Sequence, residues 1–190
     1  MTKIALITEG FTDHETIRVI IHRLLGKRPE IIRMVAKGSG NLKKELPRFI
    51  SSVPKDCGIF IIVHDLDRNP ISKSLNNEDE LRRIIESKFA QKSFTGTKHI
   101  CIPIEELEAW FWSDPEVIKH IGRGKGKAHP NPDQIENPKK KLITLSTEGN
   151  LKPRYSENDN ARLAAKLNLE LCAKRCPAFK EFLDFLQKLE

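Results

Sequence analysis

Four short apolar runs, separated by amphipathic stretches, constrain this chain more than any other feature of its sequence. Lys3–Thr8 (KIALIT), 31–36, 58–64 (GIFIIVH) and 98–104 have the length of strands and carry apolar residues at consecutive positions. Strands patterned in this way are buried on both faces. Between the first two, Thr12 and Glu15 have the spacing of a capping box, ahead of Ile17, Ile20, Ile21 and Leu24 at helical intervals, with Gly26 as the stop. A second helical stretch, 42–53, contains Pro47, which is expected near an end or at a break. Asn77 is placed to cap a third helix through Phe89, with Leu81, Ile84, Ile85 and Phe89 as its buried stripe. The order βαβαβαβ predicts an α/β fold with a four-stranded parallel sheet flanked by helices on both faces.

The pattern then changes. Residues 104–112 read as helical, Asp114-Pro115 supplies a cap and a first-turn proline for a short helix through Ile121, and a loop rich in Gly, Pro and Lys follows over 122–137. Asn137-Pro138 repeats the cap-and-proline device, and from Asp159 onward the tail reads as two helices separated at Pro177. This divides the chain into an α/β core over 1–121 and, over 122–190, a basic loop with a C-terminal helical extension packed on the core. No apolar run is long enough to cross a bilayer and no signal-peptide pattern opens the chain, so a cytoplasmic protein is expected. Cys57, Cys101, Cys172 and Cys176 are too few and too scattered for a disulfide framework and are read as reduced thiols.

In open α/β sheets, ligands bind beyond the carboxyl ends of the strands, and three groups of acids fall there. Glu9 closes the first strand with Asp13 one helical turn beyond it; Asp65 and Asp67 close the third; Glu105, Glu106 and Glu108 follow the fourth. Carboxylates gathered at one edge repel one another unless a cation sits among them, and a hard divalent ion such as Mg²⁺ or Mn²⁺ suits oxygen donors. Read as a helix, the last group places Glu105 and Glu108 on one face, where they either act together or complement a helix dipole. His14 and His64 adjoin the acids and can shuttle protons, with His64 expected on the opposite side of its strand from the two aspartates. Trp110 and Trp112 are expected in the core.

Thr8-Glu9-Gly10 after the first strand and Asp65-Leu66-Asp67 after the third resemble the TOPRIM domain of topoisomerases, DnaG-type primases, RecR proteins and OLD-family nucleases, with Asp13 similar to the OLD branch in particular. The segment Ile102-Pro103-Ile104-Glu105-Glu106-Leu107-Glu108-Ala109-Trp110, with Tyr155-Ser156 and Cys176-Pro177-Ala178-Phe179, also resembles a bacterial group of small TOPRIM-like proteins often encoded beside an ABC-type ATPase. Pro70 departs from the glycine many TOPRIM proteins carry three residues after the second aspartate, so the loop beyond the acids must differ. The resemblance implies a TOPRIM/Rossmann-like core in which Asp65 and Asp67 hold one Mg²⁺ or Mn²⁺ ion. It further implies that Glu9 is a metal ligand or general acid/base, that Asp13 helps bind a second ion, and that Glu105, Glu106 and Glu108 complete that second site, Glu105 and Glu108 acting together. The implied activity is metal-dependent phosphodiester hydrolysis of DNA or RNA, as the nuclease subunit of an ATPase-linked system such as phage defence.

The charge balance agrees with an anionic partner: 33 Lys+Arg against 26 Asp+Glu give a net charge of +7. Arg123, Lys125, Lys127, Lys139, Lys140 and Lys141 either track a nucleic-acid backbone or line a solvated loop. The glycines at 122, 124 and 126 do not form a phosphate-binding loop, because no strand precedes them and the G-K-[ST] ending is missing. A topoisomerase would need a nucleophilic tyrosine, and the one tyrosine, Tyr155, lies outside the segment of resemblance. Two alternatives to a DNA or RNA nuclease stay open: a structured-RNA maturase, and a nucleic-acid or partner-binding module that keeps the fold without turnover.

Overall fold

Unbroken apolar runs require cover on both sides, and the computed structural model, which describes residues 3–26, 29–92, 94–149 and 151–189, supplies it. Strands β1 (Lys3–Thr8), β2 (Glu30–Val35), β3 (Ile59–Val63) and β4 (Thr97–Cys101) form one sheet in the order β2-β1-β3-β4, with every pairing parallel. The chain passes from β1 outward to β2 and then returns across β1 to β3, so the direction of travel reverses between β1 and β3. Loops leaving these two neighbours part toward opposite faces and open a crevice at their carboxyl ends. Glu9 and Asp65 follow these two strands.

Alternating residues of the central strands feed two cores. Ile4 and Leu6 of β1, with Ile59, Ile61 and Val63 of β3, face α1 (Phe11–Leu24) and the C-terminal helices. Ala5, Ile7, Phe60 and Ile62 face α2 (Ser39–Ser52) and α3 (Glu78–Ala90) on the other side. Asn77 caps α3 as expected, its side chain accepting from the Glu80 N–H at 2.9 Å. Pro47 lies inside α2 without breaking it. Leu42, Leu46 and Ile50 are buried against the sheet on one stripe, and this tertiary burial outweighs the roughly 3 kcal/mol that an interior proline costs.

The helix expected over 104–112 is replaced by a tighter 3-10 segment, Leu107–Ser113, because Glu105 adopts a left-handed φ of 62° and the coil can begin only after it. Asp114 then caps α4 (Pro115–Ile121), accepting from Glu116 N–H at 2.8 Å and Val117 N–H at 3.4 Å. Its other oxygen accepts from Asn168 N–H at 2.7 Å, a tie from the core to the C-terminal part. Beyond α5 (Pro138–Ser146), the tail forms three helices rather than two: α6 (Asn160–Ala164), α7 (Leu169–Arg175) and α8 (Pro177–Gln187). The expected break at Pro177 is present; the extra one falls before α7, where the Asn168 side chain caps the helix by accepting from Leu171 N–H at 3.0 Å.

These helices do not form a separate layer. Trp110 is 1% exposed and meets Phe179 edge-on at 4.8 Å, while His99 of β4 stacks on Phe185 at 4.5 Å and on Phe182 at 5.7 Å. The extension therefore completes the α1 face of the sheet. All four cysteines are buried free thiols. No helix among the described residues is long and apolar enough to cross a membrane.

Candidate functional site

Because β1 and β3 are neighbours, the residues that follow them meet. Glu9 Oε1 accepts from the Asp65 backbone N–H at 3.0 Å and lies 2.9 Å from His64 Nδ1. The same ring nitrogen lies 2.8 Å from the Asp65 carbonyl oxygen, and two acceptors around one nitrogen require it to carry its proton. His64 thus faces Glu9. The ring is 1% exposed, and its Nε2 is buried with no hydrogen-bond partner among the described residues.

Asp13 reaches the same centre by a different device from the one its sequence neighbours indicated. Helix α1 begins at Phe11, so Gly10 occupies the cap position and Asp13 Oδ2 accepts the Gly10 N–H at 2.9 Å. The expected Thr12/Glu15 box does not form; Glu15 instead pairs with Arg18 at 2.6 Å. Burial raises the Asp13 carboxyl above its ordinary range, the Gly10 hydrogen bond and Lys139 oppose the rise, and Glu9 and Glu157 add to it.

Asp65 is the electrostatic focus. Its carboxyl is pushed well above the usual carboxylate range, first by burial and then by the charges of Asp13, Glu9, Glu108 and Asp67. Asp67 is exposed and borders a cleft of about 200 Å³ lined by Lys43, His64, Asp65, Asn77 and Glu80.

The third group of acids divides. Glu105 is buried and ion-paired with Arg68, and its second oxygen accepts the Asn137 N–H at 3.1 Å. Glu106 accepts the Lys139 N–H at 3.0 Å. These two carboxylates thereby serve the backbone donors at the start of α5, a role expected of Asn137, which instead sits at φ 51° with no side-chain cap bond. Glu105 and Glu108 consequently do not share a helical face. Glu108 faces inward, 1% exposed, accepting from Asn160 Nδ2 at 3.0 Å, with Lys139 Nζ at 3.4 Å. Burial lifts its carboxyl from 4.5 to about 7, against the pull of Lys139 and the Asn160 bond, while Glu106 and Asp13 add to the rise.

The basic residues divide as well. Lys139 is half-buried beside Glu108, Glu157 and Glu106; burial alone would depress its ammonium, but these three carboxylates more than reverse that and raise it. Lys140 and Lys141 are exposed on α5, as is Lys127 in the loop, whereas Arg123 and Lys125 share Glu148 at 3.6 and 3.0 Å. Lys139 is therefore a built-in cation of the acidic centre, set apart from the exposed pair that follows it. Sequence reasoning missed this role, and also missed Asn160 and Arg68. Only Arg68, placed directly after the Asp65/Asp67 pair, carried a sequence signal.

Among the described residues, no three His, Cys, Asp or Glu side chains are already drawn together to hold a metal ion. The donor set nevertheless fits a hard divalent cation. Glu9, Asp13, Asp65 and Asp67 all present oxygen donors, and a cation beside Asp65 would relieve the repulsion that adds to burial in raising its carboxyl. Glu105, committed to Arg68, does not fit as a ligand.

Neither the curated proteins nor the solved structures contain a match to this chain. A family model does match, over residues 8–187, a span that begins at the last residue of β1, ends in α8 and so takes in the other three strands, the acidic centre and the C-terminal helices together. The chain belongs to the family described as a domain of unknown function, DUF4276.

Proposed function

We propose that the protein is a metal-dependent nuclease of the TOPRIM type, hydrolysing phosphodiesters of DNA or RNA at the centre formed by Glu9, Asp13, Asp65 and Asp67. The observation that carries this reading is the meeting of Glu9 and Asp65 at the β1/β3 switch point, with the Asp65 carboxyl raised first by burial and then by four neighbouring carboxylates. A cluster so costly in isolation is the kind of arrangement that functional sites maintain. Asp65 and Asp67 would hold a Mg²⁺ or Mn²⁺ ion, with Glu9 and Asp13 beside them. That ion, when bound, supplies charge neutralisation at the scissile phosphate and acidifies water. The chain's own residues do the remainder. The Asp65 N–H, donating to Glu9 Oε1, and the His64 ring beside the same oxygen hold the carboxylate in place for proton transfer. Lys139 brings a positive charge to the side of the cluster where Asp13 and Glu108 lie.

Alignment of a long substrate is the weaker part of the equipment, which supports an ABC-type ATPase as the partner that presents the strand. Titration calorimetry with Mn²⁺ tests the metal site: the wild type should bind, and Asp65→Asn/Asp67→Asn should bind about tenfold to a hundredfold more weakly. Equal affinity in the two proteins would remove the proposed site.

A further inference from the structure

We infer that Phe11 and Arg33 form a nucleobase-stacking platform at the rim of the Glu9 centre, so that the site takes single-stranded or locally unpaired nucleic acid; this rests on the nuclease reading and names its substrate class. Phe11 is the first residue of α1, two positions after Glu9, and it leaves 54% of its surface to solvent. Two residues of chain limit the separation of the two Cα atoms to about 7 Å. The Arg33 guanidinium of β2 lies over the ring, 5.4 Å from its centroid. The Arg33 side chain is exposed and, apart from the ring, has no hydrogen-bond or ion-pair partner among the described residues, so its charge stays available to an anion.

The neighbouring turn adds a second cation and a rigid support. Lys37 is exposed at a left-handed φ of 59°, and the next residue, Gly38, donates its N–H to the Glu9 carbonyl at 3.0 Å. An isolated exposed phenylalanine needs no explanation. This one differs in standing two residues from Glu9 with the Arg33 guanidinium over its ring and the exposed Lys37 on a turn tied to Glu9, and the combination of an aromatic face with phosphate-seeking charges is what binds unpaired strands. Bases inside a duplex are stacked on one another and have no free face to offer the ring, so the platform selects against duplex. It lies on the β2 side of Glu9, whereas the cleft beside Asp67 lies toward α3. A strand seated on Phe11 and continuing toward Asp67 passes the acidic centre between them.

The test is fluorescence anisotropy with a labelled oligothymidylate in EDTA, where neither metal binding nor turnover contributes. Phe11→Ala should weaken binding by about tenfold, Phe11→Trp should retain it, and Arg33→Gln should lower the salt dependence by about one phosphate contact. Because Phe11 is exposed, Phe11→Ala should melt with the wild type, which a thermal scan confirms before the binding is read. One abasic position in the oligonucleotide should abolish the difference between wild type and Phe11→Ala. The platform is overturned if Phe11→Ala binds like the wild type, if Phe11→Trp loses as much as Phe11→Ala, or if duplex of equal length binds more tightly. A Phe11→Ala protein that changes sedimentation while binding oligonucleotide normally would assign the ring to a protein contact and overturn it too. An intact Phe11 effect in a protein that never cleaves would uphold the platform and overturn hydrolysis alone.

Discussion

Changing Asp65 to asparagine is expected to make the metal-free protein harder to unfold at pH 8 while abolishing most of its response to Mn²⁺. The Asp65 carboxyl is raised above its ordinary 3.8 by burial and by Asp13, Glu9, Glu108 and Asp67, so the folded state prefers it protonated. A carboxyl raised in this way contributes stability that is fully present below its unfolded value and is lost as pH climbs through its folded one. Wild-type stability should therefore fall as pH rises above about 4, and the asparagine variant should fall less, because Asp13 and Glu108 still carry raised values of their own. A gain of about 1–2 kcal/mol at pH 8 is expected, within the range by which relieving a functional site commonly stabilises a protein. Saturating Mn²⁺ should reverse the ranking, since an ion that binds only the folded wild type stabilises it by mass action. Urea melts at pH 5 and pH 8, with and without Mn²⁺, measure all four quantities. A variant less stable than wild type in metal-free buffer at pH 8 would contradict the picture of an uncompensated carboxylate.

The largest effect on folding is expected at Trp110. Its indole is 1% exposed and packs edge-on against Phe179 at 4.8 Å, joining the 3-10 segment to α8. Trp110→Ala should cost about 3–5 kcal/mol through lost contacts and the cavity left behind. Trp110→Phe should cost much less. It keeps an aromatic ring against Phe179 and removes the indole N–H, which is buried without a partner among the described residues and itself costs about 1–3 kcal/mol. Equal losses in the two variants would show that the ring contact is not what holds the extension to the sheet.

The sheet was legible in the sequence because burial on both faces writes itself as consecutive apolar residues, as in Ile59–Val63. The carboxyl-end positions of Glu9, Asp65 and Asp67 followed from the same runs. The neighbourhood of each carboxylate was not legible, because long-range partners set it. Glu105 and Glu108 have helical spacing, yet the left-handed backbone at Glu105 sends one to Arg68 and the other to Asn160, which is 52 residues away in the chain. Lys139 has the same local surroundings as Lys140, and only the fold of the C-terminal part turns it toward Glu108. The contact between His64 and Glu9 was hidden for a related reason: alternation along one strand predicts faces, but the ring reaches sideways to the residue that follows the adjacent strand. Pro47 shows the limit of local rules from the other direction, since the stripe of Leu42, Leu46 and Ile50 keeps its helix intact.

Cleavage by the purified full chain is the most direct measurement of the proposed activity. Single-stranded DNA, duplex DNA and structured RNA are incubated with Mg²⁺ or Mn²⁺, with and without the proposed ABC-type ATPase partner, and Glu9→Gln runs in parallel. The expected result is metal-dependent cleavage of unpaired strands, slow for the chain alone and faster with the ATPase, and lost in Glu9→Gln, whose amide can neither take a proton nor supply the carboxylate charge. Cleavage that survives in Glu9→Gln, or no cleavage of any substrate by a wild type that binds Mn²⁺, would contradict it.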